Sequence, residues 1–164
     1  MKQFKAGVLT ISDSAYKGQR TDNSGSIVEK VATNNKLHVV KKLIISDDLN
    51  GIKNTLIEWS DNGEIDIILT TGGTGLGPRD VTPDATKAII DIEIPGLGEI
   101  MRSTTFVLTP FAILSRATSG IRSGCLIVNL PGSPKGAKEC LESIAITLNH
   151  ALEMIRGWRT HKEE

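Results

Sequence analysis

Apolar positions along the chain follow two rhythms, and the joints between them hold much of the glycine, proline, serine and aspartate. Apolar runs occupy residues 6–11, 65–71 and 125–128, and residues 37–45 are rich in β-branched side chains. Runs of this length, rich in β-branched residues and closed by turn formers, predict β-strands. Between them the spacing changes to three and four. Asp22-Asn23-Ser24 precedes Ile27, Val28 and Val31 and predicts a capped helix, while Ile52, Leu56 and Trp59 predict a second, stopped by Asp61-Asn62-Gly63. Thr82 before Pro83, and Ser133 before Pro134, each set a capping hydroxyl ahead of a proline suited to the first helical position. The first pair opens a helix burying Ala85, Ala88 and Ile89. The second opens a long helix with Cys140, Leu141, Ile144, Leu148, Leu152 and Ile155 on one stripe, ended by Gly157.

Strands alternating with helices predict an α/β fold, a three-layer αβα sandwich with a mostly parallel sheet. Ligands of such sheets sit beyond the carboxyl ends of the strands. Those ends read Ser12-Asp13-Ser14, Ser46-Asp47-Asp48, Gly72-Gly73-Thr74-Gly75 and Pro131-Gly132-Ser133-Pro134, and the rule gathers all four on one edge. The length of 164 residues suits one domain, expected over residues 1–158, with 159–164 a frayed tail.

Composition narrows the partners. Nineteen basic and nineteen acidic side chains leave no net charge, so the field lacks the positive excess of a nucleic-acid binder. No apolar run approaches a membrane span, and the apolar stretch near the amino terminus is too short for a signal peptide, so the expected location is the cytoplasm. Cys125 and Cys140 lack CxxC spacing and read as buried free thiols. His38, His150 and His161 have no ligand spacing. Trp59 and Trp158 read as packing residues. Phe106 to Leu114 is apolar nearly all round, which fits either core or a subunit interface.

The strand ends carry the candidate chemistry. Glycines in the loop from Thr70 to Gly77 let backbone N–H groups converge on an anion, with threonine hydroxyls as further donors; a plain strand-to-helix turn is the alternative. The loop has neither the GK[ST] of a Walker A motif nor the spacing of a dinucleotide fingerprint. Arg79 and Asp80 follow. They suit a nucleotide site, the cation offsetting phosphate and the carboxylate holding Mg²⁺, or else form a local ion pair. Of Asp47 and Asp48, one is explained as a helix cap and the other is left over. Residues 129–136 end a strand and start a helix, a second possible anion site in which Lys135 opposes the helix dipole.

Taken together and in this order, these pieces resemble the molybdopterin adenylyltransferase family, which includes bacterial molybdenum-cofactor proteins and the amino-terminal domain of gephyrin. The resemblance runs from Gly7-Val8-Leu9-Thr10-Ile11-Ser12-Asp13 through Thr70-Thr71-Gly72-Gly73-Thr74-Gly75 and Pro78-Arg79-Asp80-Val81-Thr82-Pro83-Asp84 to Leu114-Ser115-Arg116 and Asn129-Leu130-Pro131-Gly132-Ser133-Pro134. It implies transfer of AMP from ATP to the terminal phosphate of molybdopterin, with release of pyrophosphate. It further implies a homotrimer, or a dimer of trimers, with other cofactor-pathway proteins as partners. By the same resemblance Asp47 and Asp80 are the catalytic, Mg²⁺-holding pair. Thr71, Gly72, Gly73, Thr74, Gly75, Arg79, Ser115, Arg116, Pro131, Gly132, Ser133, Lys135 and Gly136 would hold the pterin and the nucleotide. A binding-only scaffold of the same fold is the rival; retention of both aspartates argues against it.

Overall fold

A computed structural model describes residues 3–157. Trp158, His161 and the expected tail at 159–164 lie outside the described residues. Strand β1 (Phe4–Ile11) leads through a short turn of helix, α1 (Asp13–Tyr16), into α2 (Asn23–Asn34) and β2 (Leu37–Ile45). Next come α3 (Leu49–Asp61), β3 (Ile67–Thr71), α4 (Thr82–Lys87) and β4 (Ile92–Glu93). Helix α5 (Pro95–Phe106), a 3-10 turn at Pro110–Leu114, β5 (Ser119–Arg122), β6 (Cys125–Leu130) and α6 (Pro134–Ile155) complete the chain.

The strands form one six-stranded sheet in the order β2-β1-β3-β6-β5-β4. The first four are parallel, whereas β5 runs against β6 and β4 against β5. Because successive side chains of a strand point to opposite faces, each central strand feeds two cores. Ala6, Val8, Ile67, Leu69, Leu126 and Val128 face α2, α5 and α6. Leu9, Ile11, Ile68, Cys125 and Ile127 face α3 and α4. Helices therefore cover both faces, giving the three layers expected. Among the described residues no helix is long and apolar enough to cross a membrane.

Three local expectations change. Ala85 and Ile89 are buried, but α4 ends at Lys87, and Ala88, expected on its buried face, is exposed. Thr82 does not cap α4: Val81 holds the cap position, and Thr82 is the first helical residue, with its N–H donating to the Gly73 carbonyl at 3.1 Å. The Thr82 hydroxyl caps nothing: it is buried against Gly73, with no hydrogen-bond partner among the described residues. The strand read at 125–128 continues to Leu130, so Asn129 is a buried strand residue; its amide donates to Thr70 Oγ1 and Thr86 Oγ1, each at 3.0 Å.

Candidate active site

Chain reversal makes the site. From β1 the chain steps outward to β2, then crosses back over β1 to reach β3, so the connections diverge on either side of β1 and leave a crevice at the carboxyl edge. A polar cleft of about 340 Å³ fills that place. Its walls come from every predicted piece: Ser12 after β1, Asp47 after β2, Thr71 at the end of β3 with Gly72, Gly73 and Asp80 beyond, and Gly132 and Ser133 after β6.

The glycine loop is built from close backbone approaches. Gly72 has φ +107° and Gly73 φ +65°, both in the left-handed region. A Cβ on Gly72 would collide with the Ile11 carbonyl, and one on Gly73 with Thr82 Oγ1. The cradle is also narrower than its sequence suggests. Gly72 N–H donates to Leu130 O at 3.1 Å, and Thr71 Oγ1 to Pro131 O at 2.7 Å, so both hold the loop to β6. The N–H groups of Gly73, Thr74 and Gly75 have no partner among the described residues.

The two aspartates after β2 divide as the sequence suggests. Asp48 caps α3, accepting Gly51 N–H at 2.7 Å. Asp47 is the spare carboxylate and faces the cleft, its Oδ2 accepting Asp13 N–H at 2.7 Å. Burial lifts the Asp47 carboxyl above the usual carboxylate range, and repulsion from Asp13 and Asp80 adds to the lift, against the Asp13 N–H and the Arg79 charge. Asp80 Oδ2 accepts Gly77 N–H at 2.8 Å, fastening the loop at its far end.

The two arginines point in different directions. Arg79 bridges to Asp13 and makes no bond to Asp80, so the local ion pair does not form. Arg116 lies behind the loop: Nε donates to Gly75 O at 3.0 Å, Nη2 to Asp80 O, and the guanidinium takes both Asp84 oxygens at 3.2 and 3.0 Å. Its own N–H donates to Thr74 O at 2.8 Å. With Ser115, Lys87 and Arg102 it lines a neighbouring groove of about 310 Å³ rather than the main cleft. Lys135 is exposed beside Glu139, and Gly136 N–H is taken by the Ser133 cap at 3.1 Å.

Sequence reading missed the segment Arg20 to Ser24, which forms one wall of the cleft. Asp22 was visible as the cap of α2, a role it fills by accepting Gly25 N–H at 2.7 Å. It also accepts Thr10 Oγ1–H at 2.6 Å. The available signal was topological, since a helix following a parallel strand starts at that strand's carboxyl edge. Thiol chemistry is excluded from the site: burial pushes Cys125 up to about 12 and Cys140 up to about 11, and neither lines the cleft.

The donor set fits a magnesium ion carried with a polyphosphate. Mg²⁺ usually takes one or two carboxylates from the protein and the rest of its shell from phosphates and water. Asp47 and Asp80, on one cleft with Gly73 and its unpartnered N–H, offer that set.

Residues 7–150 match the family described as "Probable molybdopterin binding domain". The chain belongs to this family. It is 40% identical over 159 residues to a molybdopterin adenylyltransferase of Helicobacter pylori, an alignment covering 96% of this chain and 90% of that protein. The enzyme of the same name from Escherichia coli K12 is 42% identical over 146 residues, covering 88% of this chain and 75% of its own length. Among solved structures, the molybdopterin biosynthesis enzyme MoaB of Thermus thermophilus superposes with a TM-score of 0.89 at 44% identity, over 94% of this chain and 97% of that one. The tungsten cofactor synthesizing protein MoaB of Pyrococcus furiosus gives 0.86 at 34%, over 95% and 99%. Family membership extends across both halves of the sheet.

Proposed function

We propose that this protein is a molybdopterin adenylyltransferase, moving AMP from ATP to the terminal phosphate of molybdopterin. The observation that carries the reading is the convergence of Asp47, Asp80 and Gly73, whose N–H has no partner among the described residues, on one cleft. Relatives of that name, aligned over most of the chain, support it.

Each group has a task that its position allows. The N–H groups of Gly73, Thr74 and Gly75 orient the attacking phosphate, and Asp47 and Asp80 would hold Mg²⁺, which when bound neutralises the triphosphate. A phosphate oxygen of the pterin forms the new bond to the α-phosphorus, the bond from that phosphorus to the bridging oxygen breaks, and pyrophosphate leaves. An ionised phosphate needs no base to remove a proton, which is why the cleft works without histidine or thiol. The chemistry is positioning and charge compensation. Ser115 and Lys87, on the neighbouring groove, serve the parts of the substrates that extend beyond the main cleft.

The same reading includes assembly and place. The exposure of Phe106, Val107, Leu108, Phe111, Ile113 and Leu114 supports reading this run as the subunit contact of a homotrimer. Dependence on ATP sets the reaction in the cytoplasm. The test is incubation of the purified chain with molybdopterin, Mg²⁺ and ATP. Adenylylated pterin and equimolar pyrophosphate are the expected products; saturable pterin binding without either would make the protein a scaffold.

A further inference from the structure

Asp13, Asp47 and Asp80 all stand at the carboxyl edge of the sheet, and the transfer reaction uses two of them. Asp13 is bound in two distinct ways. Its Oδ1 accepts Asp47 N–H at 3.0 Å while Asp47 Oδ2 accepts Asp13 N–H at 2.7 Å, so each main chain is held by the other's carboxylate. The same Asp13 carboxylate accepts Arg79 Nε at 3.1 Å and Nη2 at 2.9 Å. Among the described residues the Arg79 guanidinium has no other hydrogen-bond partner, and the side chain is 61% exposed.

These two attachments differ in how readily they break. Part-buried bonds between a carboxylate and main-chain N–H groups are charge-assisted and directional. An exposed ion pair competes with water and salt and contributes little. Arg79 also immediately precedes Asp80, on the segment that closes the glycine loop. A polyphosphate offers a guanidinium the same two-pronged geometry as a carboxylate, with more charge.

We infer that Asp13 is a positioning residue that fixes Asp47 through the main chain and parks Arg79 next to the cleft-lining Asp80, and that Arg79 exchanges the Asp13 carboxylate for the polyphosphate of the bound nucleotide. This rests on ATP being the substrate. In the free protein Asp13 competes with the ligand for Arg79, and in the complex it keeps its hold on Asp47 alone.

The exchange makes a prediction that a merely structural role does not. Asp13→Asn retains an oxygen for the Asp47 N–H but has no charge to hold Arg79. In calorimetric titration of the full chain with inorganic triphosphate and Mg²⁺, Asp13→Asn should bind about threefold to fivefold tighter than the unsubstituted protein. The exposed change Arg79→Ala should weaken binding about tenfold, and in that background Asp13→Asn should bring no gain. An equal gain in both backgrounds would reflect only the loss of a negative charge and would overturn the exchange, as would unchanged or weaker binding by Asp13→Asn. For positioning, Asp13→Ala should lower kcat for pyrophosphate release without raising KM for ATP, and Asp13→Asn should restore kcat; equal kcat in the two variants overturns that role. If the unsubstituted chain binds no triphosphate, the ATP reading falls with this one. Binding without the Asp13→Asn gain overturns the exchange alone.

Discussion

Four parallel strands, β2, β1, β3 and β6, and the antiparallel pair β5 and β4 at the far edge belong to one sheet but present different surfaces. The parallel part ends in polar loops that converge on the cleft, and the interiors of β1, β3 and β6 are almost wholly buried, while β2 forms its partly exposed outer edge. The antiparallel edge is followed or flanked by α5 and the 3-10 turn, where Val107 is 82% and Phe111 75% exposed. One region offers hydrogen-bond donors and carboxylates, the other bare hydrocarbon. The contrast sets the proposed chemistry and the proposed subunit contact on separate parts of the molecule, so substitutions should separate them.

The largest expected effect lies on the parallel side. Asp47→Asn and Asp80→Asn should each lower pyrophosphate release by roughly a hundredfold to a thousandfold, the scale of removing one preorganised electrostatic group. Folding should survive. An amide oxygen at position 47 can still accept the Asp13 N–H, and because burial already disfavours the Asp47 charge, neutralising it sheds a desolvation cost. Normal turnover in both variants would remove the site from this cleft.

On the other side, Val107→Asp with Phe111→Asp should leave the fold intact and change the mass of the particle. Light scattering should report a shift from trimer to monomer, since charges on an apolar contact must be desolvated without partners. If the mass stays that of a trimer, the contact lies elsewhere; if the unsubstituted chain is itself monomeric, the assembly reading fails.

The same division governs what the sequence discloses. The parallel strands and α6 are long, apolar and periodic, and their ends fall where glycine, proline and aspartate say they should. A cap needs only one carboxylate, so the residues alone show that one of Asp47 and Asp48 is spare; that the spare one is Asp47 comes from the family resemblance. By contrast β4 has two residues and β5 four, too few for a period to register. Helix α5 begins Pro95-Gly96-Leu97-Gly98 and ends in a run of serine and threonine, a composition of low helix propensity that only packing against α6 overrides. Within the site, the residues whose roles stayed hidden are those that act through the backbone. Nothing in a sequence tells whether the guanidinium of Arg116 seeks a phosphate or a carbonyl, or that Gly72 N–H is already used by β6.

Arg116 joins the two regions, since it follows the 3-10 turn and holds the loop that carries Asp80. Arg116→Ala removes a charged donor from two carbonyls and the Asp84 carboxylate, and should destabilise the fold by about 1 to 3 kcal/mol while lowering turnover through Asp80. Asp84→Asn isolates the ionic part of that clamp and is the smallest effect. The pair is about half exposed, so its contribution should stay under about 1 kcal/mol. Its pH dependence has a definite sign. Hydrogen bonds from Arg116 hold the Asp84 carboxyl below its ordinary value of 3.8, so the folded state binds that proton more weakly than the unfolded chain does. The stabilisation is therefore full above the unfolded value and disappears as pH falls through the lower, folded one. Urea midpoints of the unsubstituted protein and Asp84→Asn should differ by a constant amount from neutrality down to about pH 5 and converge below that. A difference that persists undiminished into strong acid would assign the Arg116 clamp to its carbonyl partners and leave Asp84 no ionic share in joining the two halves.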